Sequence, residues 1–236
     1  MGESGPRYRS FRRYLLSAAS PSEVALSLRP RSYLSHASAL RAHGMVGAEK
    51  LPVYVNQEQR PKLPSRGSLT QQSIDRAFQN RARESRYAFS YQGAHLVLLA
   101  GKHSGNYRVE EMELAGSDIK LPVTDLVRTL VDVTVRPSYA AGPMGVLEAY
   151  RHALHKIDPQ TLIAGLVEVL GALGHVYPYH QAIGYYLTKA GLPPVMLNAL
   201  LDIGSTYDFY ICHRIEDPVY DSTWRLHVPR ALADSE

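Results

Sequence analysis

Asp125, Arg128, Asp132 and Arg136 stand three, four and four residues apart. On a helix that spacing lays charges of alternating sign along one face, each neighbouring pair contributing about 0.2–0.5 kcal/mol. Such a face does ion-pair chemistry, with a partner or within the fold. Asp118-Ile119-Lys120, with Glu113 upstream, has the acid-x-Lys form of metal-dependent nucleases, a three-residue pattern that many chains carry by chance. His180 and Asp208 complete the set of groups an enzyme acting on nucleic acid or nucleotides could use, as proton carriers or ligands. Against that reading, no nucleophile stands beside a base and no carboxylates pair at metal-ligand spacing. LLAGKHSG is not a phosphate loop, because Leu96 occupies the place of the first glycine. We expect binding rather than catalysis, with no catalytic residue, cofactor or metal.

Phosphate contact is the other chemistry on offer. Arg9, Arg12, Arg13, Arg41, Arg76, Arg81 and Arg83 are the candidates, and they fall in the first half of the chain. Up to residue 110 there are 17 basic against 7 acidic residues, and beyond it 9 against 15, so +10 is followed by −6. A basic half of this kind suits an anionic partner such as DNA, or it forms a solvated face. The acidic half would then meet something else.

Several elements must position these groups. Ser20-Pro21 opens a short helix to Leu28, and Ser35 can cap a helix from His36 to His43. Val53 and Val55 alternate with Tyr54 in a strand, and Ile74 and Phe78 point inward from a helix over residues 73–83. Residues 87–91 and 95–100 read as a hairpin about Gln92-Gly93, with residues 108–114 as a third strand. Thr124 caps a central helix that Pro137 ends, within LPVTDLVRTLVDVTVRP. Three helices follow, over residues 143–157, from Asp158-Pro159 to the glycines at 171 and 174, and from Pro178 to Gly191. Gly184 in the last of these can admit a close neighbour. Tyr177, Tyr179, His180, Gln181 and Tyr185 form a polar-aromatic surface or lean on the core. Residues 207–212, with Asp208 and Tyr210, pair with residues 223–228 as a closing hairpin, where Asp208 meets His180 or Arg225.

SYLSHASALRAHGM and VYVNQEQ resemble the segment linking the winged-helix and C-terminal parts of AbiEi-family antitoxins of type IV toxin–antitoxin systems. VTDLVRTLVDVTVRPSYAAG resembles that family's later motif, with Ala141-Gly142 where the family carries a glycine pair. YPYHQAIGYYLTKAG and TYDFYICH resemble one branch of such regulators, so the likeness runs from about Ser32 onward. About thirty residues precede that point, too few for a complete winged helix. The resemblance implies residues 1–56 as a reduced winged-helix-like or linker segment and 57–236 as the C-terminal domain. It implies an antitoxin that counters a nucleotidyltransferase-type toxin and represses its own operon. A non-catalytic subunit of a defence assembly, docking through the acidic helices, is the further alternative.

The fold expected is α+β: a small basic helical segment, a short antiparallel sheet, a helical bundle and a C-terminal β-hairpin. The lone Cys212 excludes an internal disulfide, and the most apolar run, Leu162 to Leu173, is too short to span a membrane. A cytoplasmic protein with no membrane partner is expected.

Overall fold

The structure is a computed structural model that describes residues 14, 19–45, 47, 51–61 and 68–235. Arg9, Arg12 and Arg13 lie outside the described residues.

Ser20 caps α1 (Pro21–Ser27) through a capping box with Glu23. After α1 the chain runs through β1 (Tyr33–Leu34), α2 (Ala37–Ala42), β2 (Val53–Asn56) and α3 (Gln71–Gln79). It continues through β3 (Ala88–Tyr91), β4 (Ala94–Leu99), β5 (Val109–Glu113) and β6 (Lys120–Thr124). The six strands form one sheet in the order β3-β4-β2-β1-β6-β5. It is mixed rather than antiparallel: β1 runs parallel to β6 and β2 parallel to β4. The sheet also crosses the expected boundary at residue 56, because β1 and β2 are its middle strands. Sequence spacing could not show that these short strands find partners 40 to 90 residues away.

The alternation in β2 separates two buried faces, not a core face and a wet one. Val53 and Val55 join Val24, Ala25 and Leu28 of α1 in one core cluster. Tyr54 points the other way, to Tyr139 and Leu99. A central strand covered on both sides loses its wet face.

The expected central helix divides. Leu121 and Val123 are buried in β6, and only Leu126–Val135 forms α4. Its cap is Asp125, which accepts from the Arg128 backbone N–H at 2.8 Å; Thr124 instead ends the strand. The β-branched run to Val135 stays helical because Val131, Val133 and Thr134 are buried on all sides. Ser35 does not cap α2 either. Its hydroxyl lies 2.9 Å from His36 Nδ1, and His36 takes the cap position at φ 53.

A 3-10 turn, Pro137–Ala140, leads into α5 (Gly142–Leu154), α6 (Pro159–Leu173), α7 (Tyr179–Lys189) and α8 (Asn198–Leu201). Asp158 caps α6 as its sequence implies, bonding Thr161 N at 2.9 Å. Around α4 and α7 the helices bury the largest cluster, with Tyr150 and Tyr186 stacked at 5.3 Å. The chain closes with β7 (Phe209–Tyr210), β8 (Pro218–Asp221), β9 (Leu226–Pro229) and α9 (Arg230–Ala233). The two segments expected to pair as a hairpin, β7 and β9, run parallel. The hairpin is made by β8 and β9, since the loop between them supplies its own strand.

Ala141 holds φ 62 and ψ 30 between the turn and α5. That left-handed conformation costs a residue with a Cβ about 1–2 kcal/mol. After glycine's extra unfolded-state entropy is set against this, Ala141→Gly is expected to stabilise the fold by about 0.5–1 kcal/mol. A urea midpoint that stays put or falls would count against the strain.

Candidate functional site

Three of the four charges on the central segment are used inside the protein. Arg128 is 5% exposed; its Nε donates to Asp132 Oδ1 at 2.9 Å, and its Nη1 to the Tyr107 carbonyl at 3.1 Å and Ser104 Oγ at 3.2 Å. Asp125, besides capping α4, accepts from Arg108 Nε at 2.5 Å. Glu58, just past β2, receives the backbone N–H groups of Ser104, Gly105 and Asn106 at 2.7, 2.9 and 3.2 Å, together with the Ser104 hydroxyl. Burial works against its charge, but these donors outweigh it and hold Glu58 below the usual carboxylate range. The result is one polar frame that ties the loop after β4 to β2 and α4. Lys102 has the same kind of task, donating to the Leu173 and Gly174 carbonyls at 2.7 Å at the end of α6. Glu58 was not singled out from sequence; a glutamate after a strand carries no signal that a loop 46 residues on will wrap it.

Of the two readings open for α7, a polar-aromatic surface or residues leaning on the core, the burial matches the second. Tyr179, His180, Gln181 and Tyr185 are all buried, and Tyr177 is half-buried. His180 Nε2 lies 2.9 Å from the Gly204 carbonyl. Gln181, fully buried, donates to the Tyr207 and Trp224 carbonyls at 2.9 and 2.8 Å, so it fastens the small sheet to the helices. Burial lowers His180 and keeps it neutral, with the Gly204 bond opposing. Gly184 does admit a close neighbour: the indole of Trp224 lies where its Cβ would be.

A second set of polar groups is built from α3 and the small sheet. Thr70 caps α3 through Ser73, Ile74 and Phe78 turn inward, and Arg76 turns out. The Gln71 side-chain amide imitates a strand: its Nε2 donates to the Asp208 carbonyl and its Oε1 accepts from Asp208 N, each at 2.9 Å. Phe78 stacks on His213 at 4.5 Å and on Tyr210 at 5.7 Å. The Tyr210 hydroxyl donates to Asp75 at 3.1 Å. Asp208 meets Arg225, not His180: it accepts from Arg225 Nε at 2.9 Å and from the Tyr220 hydroxyl at 2.8 Å. Slight burial opposes its charge, and those two donors hold it below the usual carboxylate range. His227 lies between Tyr210 and Tyr220 at 4.7 and 5.0 Å, and Tyr220 is 46% exposed. Tyr220 and His227 are missing from the sequence candidates because β8 and its pairing were not foreseen, and His213 because its contact with α3 joins residues 136 apart in the chain.

Arg76, Arg81 and Arg83 are exposed on α3 and just after it, and none pairs with a carboxylate among the described residues. Arg41 is different. It is half-buried beside a cleft of about 810 Å³, and its Nη2 donates to the Leu51 carbonyl at 2.8 Å. That bond makes it a brace between α2 and the approach to β2.

No protein-family model matches this chain, and no curated protein matches it. Among solved structures it is similar to the crystal structure of the RV2827C protein from Mycobacterium tuberculosis, at 15% identity and a TM-score of 0.52. The likeness covers 88% of this chain and 66% of that one, and at this identity it speaks for the fold alone.

Of the groups named for the enzyme reading, Glu113, Asp118 and Lys120 line one shallow hollow where β5 leads into β6, while His180 and Asp208 stand elsewhere. Lys120 Nζ pairs with Glu113 Oε1 at 3.6 Å, both side chains exposed, and Asp118 sits in the turn before β6. His180 and Asp208 have the separate partners given above. Among the described residues no three histidine, cysteine or carboxylate side chains gather as metal ligands. Among them too, no helix is long and apolar enough to cross a membrane.

Proposed function

We propose that this protein is a regulatory binding protein of the antitoxin type. It acts in the cytoplasm, counters a nucleotidyltransferase-type toxin and contacts the DNA of its own operator. The observation that carries the DNA contact is the strip of exposed arginines without carboxylate partners, Arg76, Arg81 and Arg83, with Arg86 beside them. A run of surface cations without carboxylate partners makes a positive potential that phosphates can answer. The sequence resemblance to AbiEi-family antitoxins supports the toxin as the second partner. The face of the small sheet, with Tyr220, His227 and the Asp208–Arg225 pair, suits protein contact through amphipathic rings and a charge pair at the rim.

An electrophoretic mobility shift with the DNA upstream of the gene, beside an unrelated duplex, tests the reading. Specific retardation that weakens with salt is expected, because binding releases about 0.9 counterion per phosphate contacted. The triple variant Arg76→Gln, Arg81→Gln, Arg83→Gln should flatten the salt dependence by about 0.9 per lost contact. Equal retardation of both duplexes, or none, would overturn the operator role.

A further inference from the structure

Two stretches far apart in the chain meet at one ring. Arg29 stands half-buried in the turn after α1, and its Cζ lies 5.1 Å from the centroid of the Tyr87 ring. At that distance the guanidinium is drawn to the ring face. Tyr87 is 48% exposed, and among the described residues no other ring or cation is in contact with it. Both partners are fixed by bonds to the backbone around them. Ser32 Oγ donates to the Arg29 carbonyl at 2.9 Å, and the Gln57 side-chain amide donates to the Pro30 carbonyl at 2.8 Å. Tyr87 N donates to Ser85 Oγ at 3.2 Å, and the Tyr87 carbonyl accepts from Leu98 N at 2.9 Å, which ties the residue to β4. Charge gathers round the pair. Arg86 precedes Tyr87, Arg31 follows Arg29 by two residues, and Arg81 and Arg83 share the stretch that ends at Tyr87. Six residues of chain reach about 20 Å at most, so the backbone of Arg81 lies within that distance of Tyr87. Apart from Arg29 these arginines are exposed, and none of the five pairs with a carboxylate among the described residues. Glu84 is the single acid of the stretch from residue 81 to 87.

We propose that the Arg29–Tyr87 pair is a stacking platform for an unpaired base, so that the arginine strip takes single-stranded nucleic acid. The platform rests on the reading of that strip as a phosphate-binding surface and adds a base to it. An exposed aromatic ring accepts the π-face of any base while cations beside it hold the backbone. A duplex keeps its bases stacked on one another and offers such a ring no face. Arg29 has two tasks here: it holds the ring in place, and its charge answers the phosphate next to the stacked base.

The test is fluorescence anisotropy of the full chain with three labelled probes: an oligothymidylate of about 12 nucleotides, an abasic strand of the same length, and the duplex from upstream of the gene. Oligothymidylate does not pair with itself, and the abasic strand keeps the phosphates without the bases. Wild type is expected to bind oligothymidylate about tenfold more tightly than the abasic strand. Tyr87→Leu should abolish that preference and Tyr87→Phe should keep it, with duplex affinity unchanged in both. Arg29→Gln should flatten the salt dependence of strand binding by about 0.7. Equal binding of the two strands by wild type would overturn the platform even if Tyr87→Leu does not fold. A folded Tyr87→Leu that still prefers oligothymidylate would overturn it too. The duplex separates the two readings: duplex binding without a preference for bases removes the platform alone, whereas binding of neither strand nor duplex removes the strip as well.

Discussion

Arg128→Met is expected to lose about 3–5 kcal/mol of folding stability, the cost of leaving one half of a buried ion pair alone. The side chains of Arg128 and Asp132 are 6% and 14% exposed, so water cannot replace the missing partner. Three acceptors lose a donor at once: Asp132, Ser104 Oγ and the Tyr107 carbonyl. Asp132 is already lifted above the ordinary aspartate range, because burial outweighs the Arg128 charge and hydrogen bond. The folded carboxyl thus holds its proton more tightly than the unfolded one. Its contribution favours the fold at low pH and declines as pH rises from the unfolded value, about 3.9, through the higher folded value. Removing Arg128 lifts Asp132 further. The deficit of the variant should therefore be smaller near about pH 4 than near about pH 8. Adding Asp132→Leu should recover much of the loss, since a well-packed apolar pair can match a buried ionic one. Urea unfolding of the wild type and the two variants at both pH values makes the comparison, and an Arg128→Met protein as stable as wild type would refute the buried frame.

Gly184→Val is expected to cost about 2–3 kcal/mol, near the top of the range for overpacking. A Cβ at Gly184 would stand 2.2 Å from Cη2 and Cζ3 of Trp224. The indole has no easy retreat. It is 2% exposed, its Nε1 donates to Thr188 Oγ1 at 3.1 Å, and the Thr188 hydroxyl donates in turn to the Gly184 carbonyl at 2.9 Å. Trp224 also anchors the turn before β9, its backbone N–H donating to Asp221 at 2.8 Å. Because it is the sole tryptophan of the chain, its fluorescence reads the contact directly. The variant should show red-shifted emission and a lower thermal midpoint, and pairing it with Trp224→Leu should restore part of the stability. Emission identical to wild type would mean that the helix and the indole are not in contact.

The contrast between Asp158 and Asp125 shows what a sequence can carry. Asp158-Pro159 announces the start of α6 because a cap and a first-turn proline act within four residues, and the structure has that cap. Ile74 and Phe78, Gln92-Gly93 and the amphipathic helices after Pro143 were legible for the same reason: each is decided by local spacing. The stretch containing Asp125 was not. Whether Leu121 and Val123 begin a helix or end a strand depends on β1 and β5, which pair with them from far away in sequence. Burial of Arg128 likewise depends on a loop held by Glu58.

The sequence by itself determined the α+β class, the starts of α1 and α6, the charge division and which residues could do chemistry. Tertiary structure decided which of those residues are spent. It consumed Arg128, Asp132, Asp125, His180 and Gln181 in internal bonds, because groups removed from water must find partners inside. It left Arg76, Arg81 and Arg83 in solvent, and it left Arg136 half-buried with no ion pair among the described residues. Spacing along a chain can bring charges onto one face, but only the packing of distant elements settles which charge is neutralised and which still seeks a partner.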